Sequence, residues 1–259
     1  MNIHAALDAY MPRAHQAYYI CVSARHGYVY VTTPKCACTA LLALLQRLEL
    51  DDPAYRPSVE QAHDRLKSPL FTPEAVDFPA MLEDGRVLKF TFVRNPFTRI
   101  LSAYLSKIVG RKEQRAIVNL LLGLPSADMD THISFGQFVE AVAGQEAFAM
   151  DGHWRPLSCQ TYAYDFPYDF IGRFEHFARD LETLNGLLGG KLAPYYAPDT
   201  YHPTNAAGLL HRHYTPEIAD RVLALYRHDF VNFGYDTDWR ALCWEEARRS
   251  ALRFPGVPG

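Results

Sequence analysis

Short hydrophobic runs, each followed by a helical pattern, organise the first part of the chain. The run Tyr28–Val31 is β-branched and aromatic, and leucines then recur at helical spacing after a Thr-Thr-Pro sequence. Residues 87–93 are almost continuously hydrophobic, as expected for a strand buried on both faces. Asn95 suits the N-cap of a following helix and Pro96 its first position. The pattern therefore predicts strand, loop and helix twice in succession.

This alternation predicts an α/β fold with a central, mainly parallel sheet flanked by helices. A further short strand is expected at 169–171, a helix opening at Ser134, and one long helix over 216–230. Ligands of such sheets bind beyond the carboxyl ends of the strands, so the two loops after the predicted strands are the candidate site. We expect a single domain over residues 1–259, in which 110–151 could be a helical insertion.

Composition and charge narrow the functional classes. The chain has 259 residues, of which 49% are hydrophobic and 21% charged, as in a globular protein. A formal net charge of -3 gives no global field that would attract nucleic acid. The sequence contains no run of about 20 apolar residues, so it predicts no membrane-spanning helix, and we expect a cytoplasmic protein. Its five cysteines are an odd number, and Cys36 and Cys38 stand one residue apart, so we interpret them as free thiols.

The first candidate motif is the turn Thr-Pro-Lys-Cys-Ala-Cys-Thr-Ala at residues 33–40. It combines Lys35 with small residues and a hydroxyl at the start of a helix, where backbone N–H groups attract anions. A nucleotide-binding Walker loop is excluded, because no glycine occurs between Gly27 and Gly85. The motif therefore indicates a phosphate site, although an exposed lysine in a tight turn explains it equally well when it is taken alone.

The second motif follows the second predicted strand. Arg94 ends this strand, where its guanidinium can grip a phosphate with two donors, and Ser102 can present a hydroxyl from the next helix. Arg99 stands three residues before Ser102, so we expect both on the helix face opposite the apolar stripe. The alternative is that Arg94 caps a carbonyl or pairs with a carboxylate.

Together the two motifs resemble those of sulfotransferases that use 3′-phosphoadenosine 5′-phosphosulfate (PAPS), and most of all the carbohydrate sulfotransferase branch. That branch often has Pro-Lys-x-Ala-Cys-Thr in its first loop and Val-Arg-x-Pro-x-x-Arg-x-x-Ser-Ala in its second. Residues 34–39 and 93–103 match these patterns. The likeness runs from about Tyr28 to Tyr235, and it implies the P-loop-NTPase-like sulfotransferase fold. The later stretches that share it are 153–156, 168–175 and 226–235.

The resemblance also implies roles for individual residues. Lys35 would contact the 5′-phosphate and the bridging oxygen of PAPS, and would stabilise the leaving phosphate. Arg94 and Ser102 would hold the 3′-phosphate, and no metal is expected. The hydroxyl of Thr39 would bind the same 5′-phosphate, together with the backbone of Cys36, Ala37, Cys38, Thr39 and Ala40.

An acceptor hydroxyl needs a base, and histidine is the side chain best matched to neutral pH. His63 is our first candidate, because this branch places an active-site histidine between the two phosphate motifs; Asp64 or a backbone carbonyl could orient it. His153 is the second, because Trp154 and Arg155 beside it combine a stacking ring and an anion-binding fork. The alternatives are a solvated helix-face histidine for His63 and a packed loop for His153.

These observations predict an enzyme that moves a sulfuryl group from PAPS to a hydroxyl of a sugar or small metabolite. Unlike the animal Golgi members of that branch, the chain is expected to have no membrane anchor and no broad basic surface, which argues against a sulfated polysaccharide as acceptor. Tyr195, Tyr196, Tyr201 and His202 could face the acceptor or pack as a surface loop. Two alternatives remain open: a nucleotide-dependent phosphotransferase, and a module that binds a nucleotide or sulfated ligand without chemistry.

Overall fold

The computed structural model of the chain describes residues 11–163, 165–197 and 205–242. Tyr201 and His202 lie outside these residues. The first part of the chain mixes helices and strands, and the last part is helical. In chain order the elements are α1 (Arg13–Tyr19), β1 (Ile20–Ser23), β2 (Tyr28–Val31), α2 (Cys38–Leu50), α3 (Val59–His63), α4 (Phe78–Glu83), β3 (Leu88–Val93), α5 (Pro96–Ala103), α6 (Arg115–Leu121), α7 (Phe135–Ala143), α8 (Leu157–Gln160), β4 (Phe170–Arg173), α9 (Phe177–Leu187), α10 (Ala206–His213), α11 (Pro216–Leu225) and α12 (Arg227–Asn232).

The four strands found among the described residues form one sheet in the order β1-β2-β3-β4. β1 pairs antiparallel with β2, whereas β2 with β3 and β3 with β4 are parallel. Every residue of β2 is buried, and so are all of β3 except its first. The predicted α/β fold with a mainly parallel sheet is confirmed, because long connections that contain helices bring β3 and β4 into the sheet in the same direction as β2.

The described residues divide into two compact units, each made of two separate stretches of chain. One unit comprises the residues up to 94 together with 157–197, and it contains the sheet. The other comprises 95–156 and the residues from 205 onward, and it is helical, with α5, α6, α7, α10, α11 and α12. The segment 110–151 supplies two of these helices. The single domain and the helical insertion stay predictions.

The core of the first unit follows the two-residue period of its strands. Ile20 and Val22 of β1 and their partners Val31 and Val29 of β2 lie on one face of the sheet, where they join a hydrophobic cluster with Phe78 of α4. Side chains of alternate residues point to the opposite face, so each buried strand contributes to both layers. This two-sided burial explains why the strands are continuously hydrophobic in sequence.

The second unit corrects one prediction from the sequence. The expected helix over 216–230 is two helices, α11 and α12, which meet at Tyr226. The Tyr226 hydroxyl donates to the backbone carbonyl of Trp154 at 2.6 Å, and Tyr226 and Trp154 are both buried. Tyr226 lies outside the helical region, with φ -107° and ψ 23°. We attribute the break to this buried anchor, which hydrophobic periodicity does not reveal.

Candidate functional site

The loop between β2 and α2 makes a sharp turn with two residues in the left-handed region. Lys35 has φ 70° and Ala37 has φ 65°, although neither is glycine. The Thr33 hydroxyl donates to the backbone carbonyl of Phe92 in β3, which fixes the loop to the sheet. Ala37 is the N-cap of α2, and no side chain within the described part of the chain caps it. The turn therefore presents the start of a 13-residue helix directly beyond the sheet.

Arg94 joins the two sequence motifs within the first unit. Its Nη1 donates to the backbone carbonyl of Lys35 at 3.0 Å, and its guanidinium lies 4.1 Å from the centre of the Phe174 ring. Arg94 is only 5% exposed. Carbonyl capping was the alternative that the sequence left open, and the structure shows it. The assignment of Arg94 to a 3′-phosphate stays a prediction.

Sequence reasoning missed Phe174 as a partner of Arg94. The register of the parallel pair β3 and β4 places Val93 opposite Arg173, so the next residues along the two strands also lie side by side. An aromatic residue just after a neighbouring parallel strand is the signal that could have identified it. The stacked ring holds the guanidinium in one orientation beside the loop.

His63 ends the short helix α3 and reaches the first turn of α2. Its Nε2 lies 3.0 Å from Thr39 Oγ1 and 3.9 Å from Cys38 Sγ. Ser58 and Gln61 form a capping box that fixes the start of α3. The structure thus places the His63 imidazole beside the Cys38 thiol and the Thr39 hydroxyl, which precede it by 25 and 24 residues in the sequence.

The surroundings of Cys38 change its acidity. Burial would raise the pKa of this thiol, but the His63 imidazole and the Lys35 ammonium outweigh it and lower the pKa below its ordinary value. Cys21 is equally buried, and burial raises the pKa of its thiol to about 11. The comparison indicates that the loop around Cys38 stabilises negative charge. Such stabilisation is what a phosphate needs.

Ser102 and Arg99 lie in α5 of the second unit, and all eight residues of this helix are buried. The helix face expected to carry both residues, opposite the apolar stripe, is therefore buried as well. Arg99 donates to the carbonyls of Gly152 and Arg155 at 2.8 and 2.7 Å. These bonds satisfy a buried guanidinium with backbone oxygens and fix the loop that carries His153.

His153 pairs with a carboxylate that sequence reasoning missed. Its Nδ1 lies 2.6 Å from Asp151 Oδ1, and the His153 backbone N–H also donates to that oxygen at 2.9 Å. Burial opposes ionisation of Asp151, but the hydrogen bond and the charge of His153 lower its pKa below the usual carboxyl value. An aspartate two residues before a histidine, across a glycine, was the available signal.

The two neighbours that follow His153 are both buried. Trp154 is fully buried, and its Nε1 donates to Gln145 Oε1 at 3.1 Å. Arg155 is 3% exposed and donates to the carbonyl of Met150 at 2.7 Å. Trp154 packs in the core, so the stacking role expected for its ring is wrong. The anion-binding role suggested for Arg155 stays a prediction, because Arg94 is likewise buried and bonded to a carbonyl.

The structure thus assembles five of the predicted site residues in the first unit. They are Lys35, Cys38, Thr39, His63 and Arg94, with Cys36, Ala37 and Ala40 in the same loop and helix start. Ser102 and His153 belong to the second unit. Among the described residues, no three His, Cys, Asp or Glu side chains form a group suited to a metal ion. None of the described helices is long and apolar enough to cross a membrane.

Comparisons with known proteins give the family context of this site. A family model described as "Sulfotransferase family" matches residues 18–236. The chain is 26% identical to human carbohydrate sulfotransferase 14 over 231 residues, which is 84% of this chain and 60% of that protein. It is 27% identical to Xenopus laevis carbohydrate sulfotransferase 12, again over 84% of this chain and 60% of the relative. The chain therefore spans about three fifths of the length of these relatives. No solved structure matches it significantly.

Proposed function

Since the chain belongs to the sulfotransferase family, we propose that it transfers a sulfuryl group from PAPS to a hydroxyl of a sugar or small-metabolite acceptor. The observation that carries this proposal is the meeting of Thr39, Cys38 and His63 at the start of α2, directly after the Lys35 turn. The start of α2 can bind a phosphate, and the His63 imidazole can accept a proton.

The donor loop fits the phosphates of PAPS. The uncapped start of α2 offers backbone N–H groups, Lys35 adds a full positive charge, and Thr39 adds a hydroxyl. Lys35 and His63 also lower the pKa of the Cys38 thiol, as expected of a site that favours negative charge. A guanidinium has five N–H donors, so the bond from Arg94 to the Lys35 carbonyl is compatible with a phosphate contact. Ser102 is assigned to the 3′-phosphate by the resemblance alone.

The proposed reaction is an in-line transfer whose charges are managed by side chains. The acceptor oxygen forms a bond to sulfur while the bond between sulfur and the bridging phosphate oxygen breaks. His63 Nε2 takes the proton of the acceptor hydroxyl, and Lys35 neutralises the negative charge that develops on the leaving phosphate. The products are a sulfate ester and 3′-phosphoadenosine 5′-phosphate. No step requires a metal.

A sugar is the acceptor class that the relatives favour. The human and Xenopus proteins are named carbohydrate sulfotransferases. We propose a sugar as the acceptor of the present chain as well. Small hydroxylated metabolites are the alternative acceptors, and the transfer assay described below includes both classes. The cytoplasmic location expected from the sequence stays a prediction that cell fractionation can test.

The decisive experiment is a transfer assay with radiolabelled PAPS against a panel of neutral sugars, acidic glycans and small alcohols. We expect labelled product with at least one acceptor. Lys35→Ala should lower turnover about a hundredfold or more, because it removes a charge that acts on the leaving phosphate. Lys67→Ala is the matched control. The Lys67 side chain is 85% exposed, and this residue stands four positions after His63 in the sequence.

The outcomes separate the candidate activities. Transfer from PAPS that depends on Lys35 supports the proposal. Binding of 3′-phosphoadenosine 5′-phosphate without transfer to any acceptor supports the binding module instead. Transfer of phosphate from ATP would support the phosphotransferase.

A further inference from the structure

A hydroxyl and a thiol meet at one imidazole nitrogen in the first unit. Thr39 Oγ1 lies 3.0 Å from His63 Nε2, and Cys38 Sγ lies 3.9 Å from the same atom. The two helices that carry them are tied together, because Gln46 Nε2 of α2 donates to the Ala62 carbonyl of α3 at 3.0 Å. The contact between threonine and histidine is therefore set by helix packing.

A threonine hydroxyl has a single proton to donate. When that proton is directed at an unprotonated Nε2, the same nitrogen cannot accept a proton from another molecule in that direction. The thiol at 3.9 Å is a weaker donor than the hydroxyl at 3.0 Å. Of these two groups, the Thr39 hydroxyl is therefore the stronger competitor for this nitrogen.

We propose that Thr39 is a positioning residue that engages His63 Nε2 until the donor binds and then releases it. This inference rests on the proposed function, in which the Thr39 hydroxyl holds the 5′-phosphate of PAPS. A hydrogen bond to an ionised acceptor is roughly twice as strong as one between neutral groups, so the hydroxyl turns from the imidazole to the phosphate. The hydroxyl keeps its proton throughout and changes only the atom that accepts it.

The consequence is an order of events at the site. Before the donor arrives, His63 Nε2 is occupied and does not act as a base. After the donor binds, the nitrogen accepts the proton of the acceptor hydroxyl. His63 thus becomes a base only when a sulfuryl group is in place to be transferred.

The test is nitrogen NMR of ¹⁵N-histidine-labelled protein, at a pH about two units above the ordinary histidine pKa of about 6.5. The chain has eleven histidines, and a His63→Gln spectrum assigns the relevant signal. We expect His63 to be unprotonated at Nε2 in the free protein. Saturation with 3′-phosphoadenosine 5′-phosphate should move that signal downfield, as loss of a hydrogen-bond donor requires. Adenosine 3′-phosphate should leave it unchanged, because it has no 5′-phosphate to attract Thr39.

Three variants test the hydroxyl itself. Thr39→Val should place the Nε2 signal of the free protein near its bisphosphate-bound position, and added bisphosphate should move it little further. Thr39→Ser retains a hydroxyl and should restore the shift. Thr183→Val is the matched control, because this exposed residue of α9 donates only to a carbonyl of its own helix among the bonds of the described structure. Its spectrum should respond to the bisphosphate as the unmodified protein does.

Several results would overturn the proposal. Protonation of Nε2 in the free protein would do so, and so would an equal shift with adenosine 3′-phosphate. The ligand comparison needs no variant, so it decides the question even if Thr39→Val fails to fold. Calorimetry separates this failure from that of the proposed function. Bisphosphate that binds without moving the signal rejects only the role of Thr39, whereas absence of binding contradicts the donor assignment.

Discussion

Arg94 is a buried side chain that supports the fold and that we propose as a phosphate ligand. Its bond to the Lys35 carbonyl and its stacking on Phe174 hold the guanidinium beside the donor loop. Burying a charged group is costly unless it is hydrogen-bonded, so these partners stabilise the arginine where a phosphate would meet it. The role of Arg94 as an anion ligand stays a proposal, and this arrangement is compatible with it although the side chain is buried.

A prediction about donor selectivity follows from this placement. The protein should bind 3′-phosphoadenosine 5′-phosphate more tightly than adenosine 5′-phosphate, by roughly 2 to 4 kcal/mol, because the 3′-phosphate gains charged hydrogen bonds. Arg94→Ala should lose most of that preference in calorimetric titrations. Arg86→Ala is the control, since this arginine bonds to Asp84 at the surface. Equal affinity of the unmodified protein for the two nucleotides would refute the assignment of Arg94.

At the scale of elements, the close approach of β3 and β4 determines which residues these strands can contain. Gly172 of β4 stands opposite Phe92 of β3. A Cβ atom on Gly172 would lie 2.4 Å from the Phe92 ring, which is nearer than atoms in contact can be. Phe92 is fully buried and packs against Phe170 and Phe177, so its ring has little room to move.

Gly172→Ala should therefore destabilise the first unit by about 1 to 3 kcal/mol, the usual cost of overpacking a core. Chemical denaturation measures the effect. Gly186→Ala is the matched control: no atom lies within 4 Å of the added Cβ, and alanine favours the helix α9, so stability should stay level or rise slightly. An unchanged free energy of unfolding for Gly172→Ala would contradict the described packing of β4.

At the scale of the whole molecule, neither unit is made from one continuous stretch of chain. The second stretch of the first unit begins at residue 157, and among the described residues that of the second unit begins at residue 205. Each unit therefore completes its fold only after part of the other has been synthesised. The single domain predicted from the sequence stays a prediction, and the unfolding of the two units can test it, because two segments of chain must be ordered together for either core to form.

We therefore predict a single unfolding transition. Trp154 and Trp239 belong to the second unit, so their fluorescence reports on it. The buried Cys21 and Cys36 of the first unit become reactive to thiol reagents when it unfolds. The two probes should give the same urea midpoint. Separate midpoints would show that the units unfold independently and that the chain is two domains.

The sequence by itself determined the elements that local spacing controls. β2, the helix after it and β3 lie where the hydrophobic pattern placed them, and Asn95 caps α5 through the N–H of Phe97 as predicted. Capping residues and hydrophobic periods act over a few residues, so they can be identified without the fold. The four-residue strand β1 escaped notice, since it has no helix or loop motif of its own and becomes a strand by pairing with β2.

Only the tertiary structure decided which residues meet. Arg94 donates to the Lys35 carbonyl, although 59 residues separate the two in sequence. Thr39 contacts His63, which follows it by 24 residues. The resemblance named these residues as members of one site, but it gave no contact between them. Trp154 and Arg155 look like ligand-binding groups in sequence, whereas in the structure both side chains are buried, and Arg155 donates to a carbonyl of the loop around His153. Burial and long-range hydrogen bonds depend on how complete elements pack, and residue type and spacing do not contain that information.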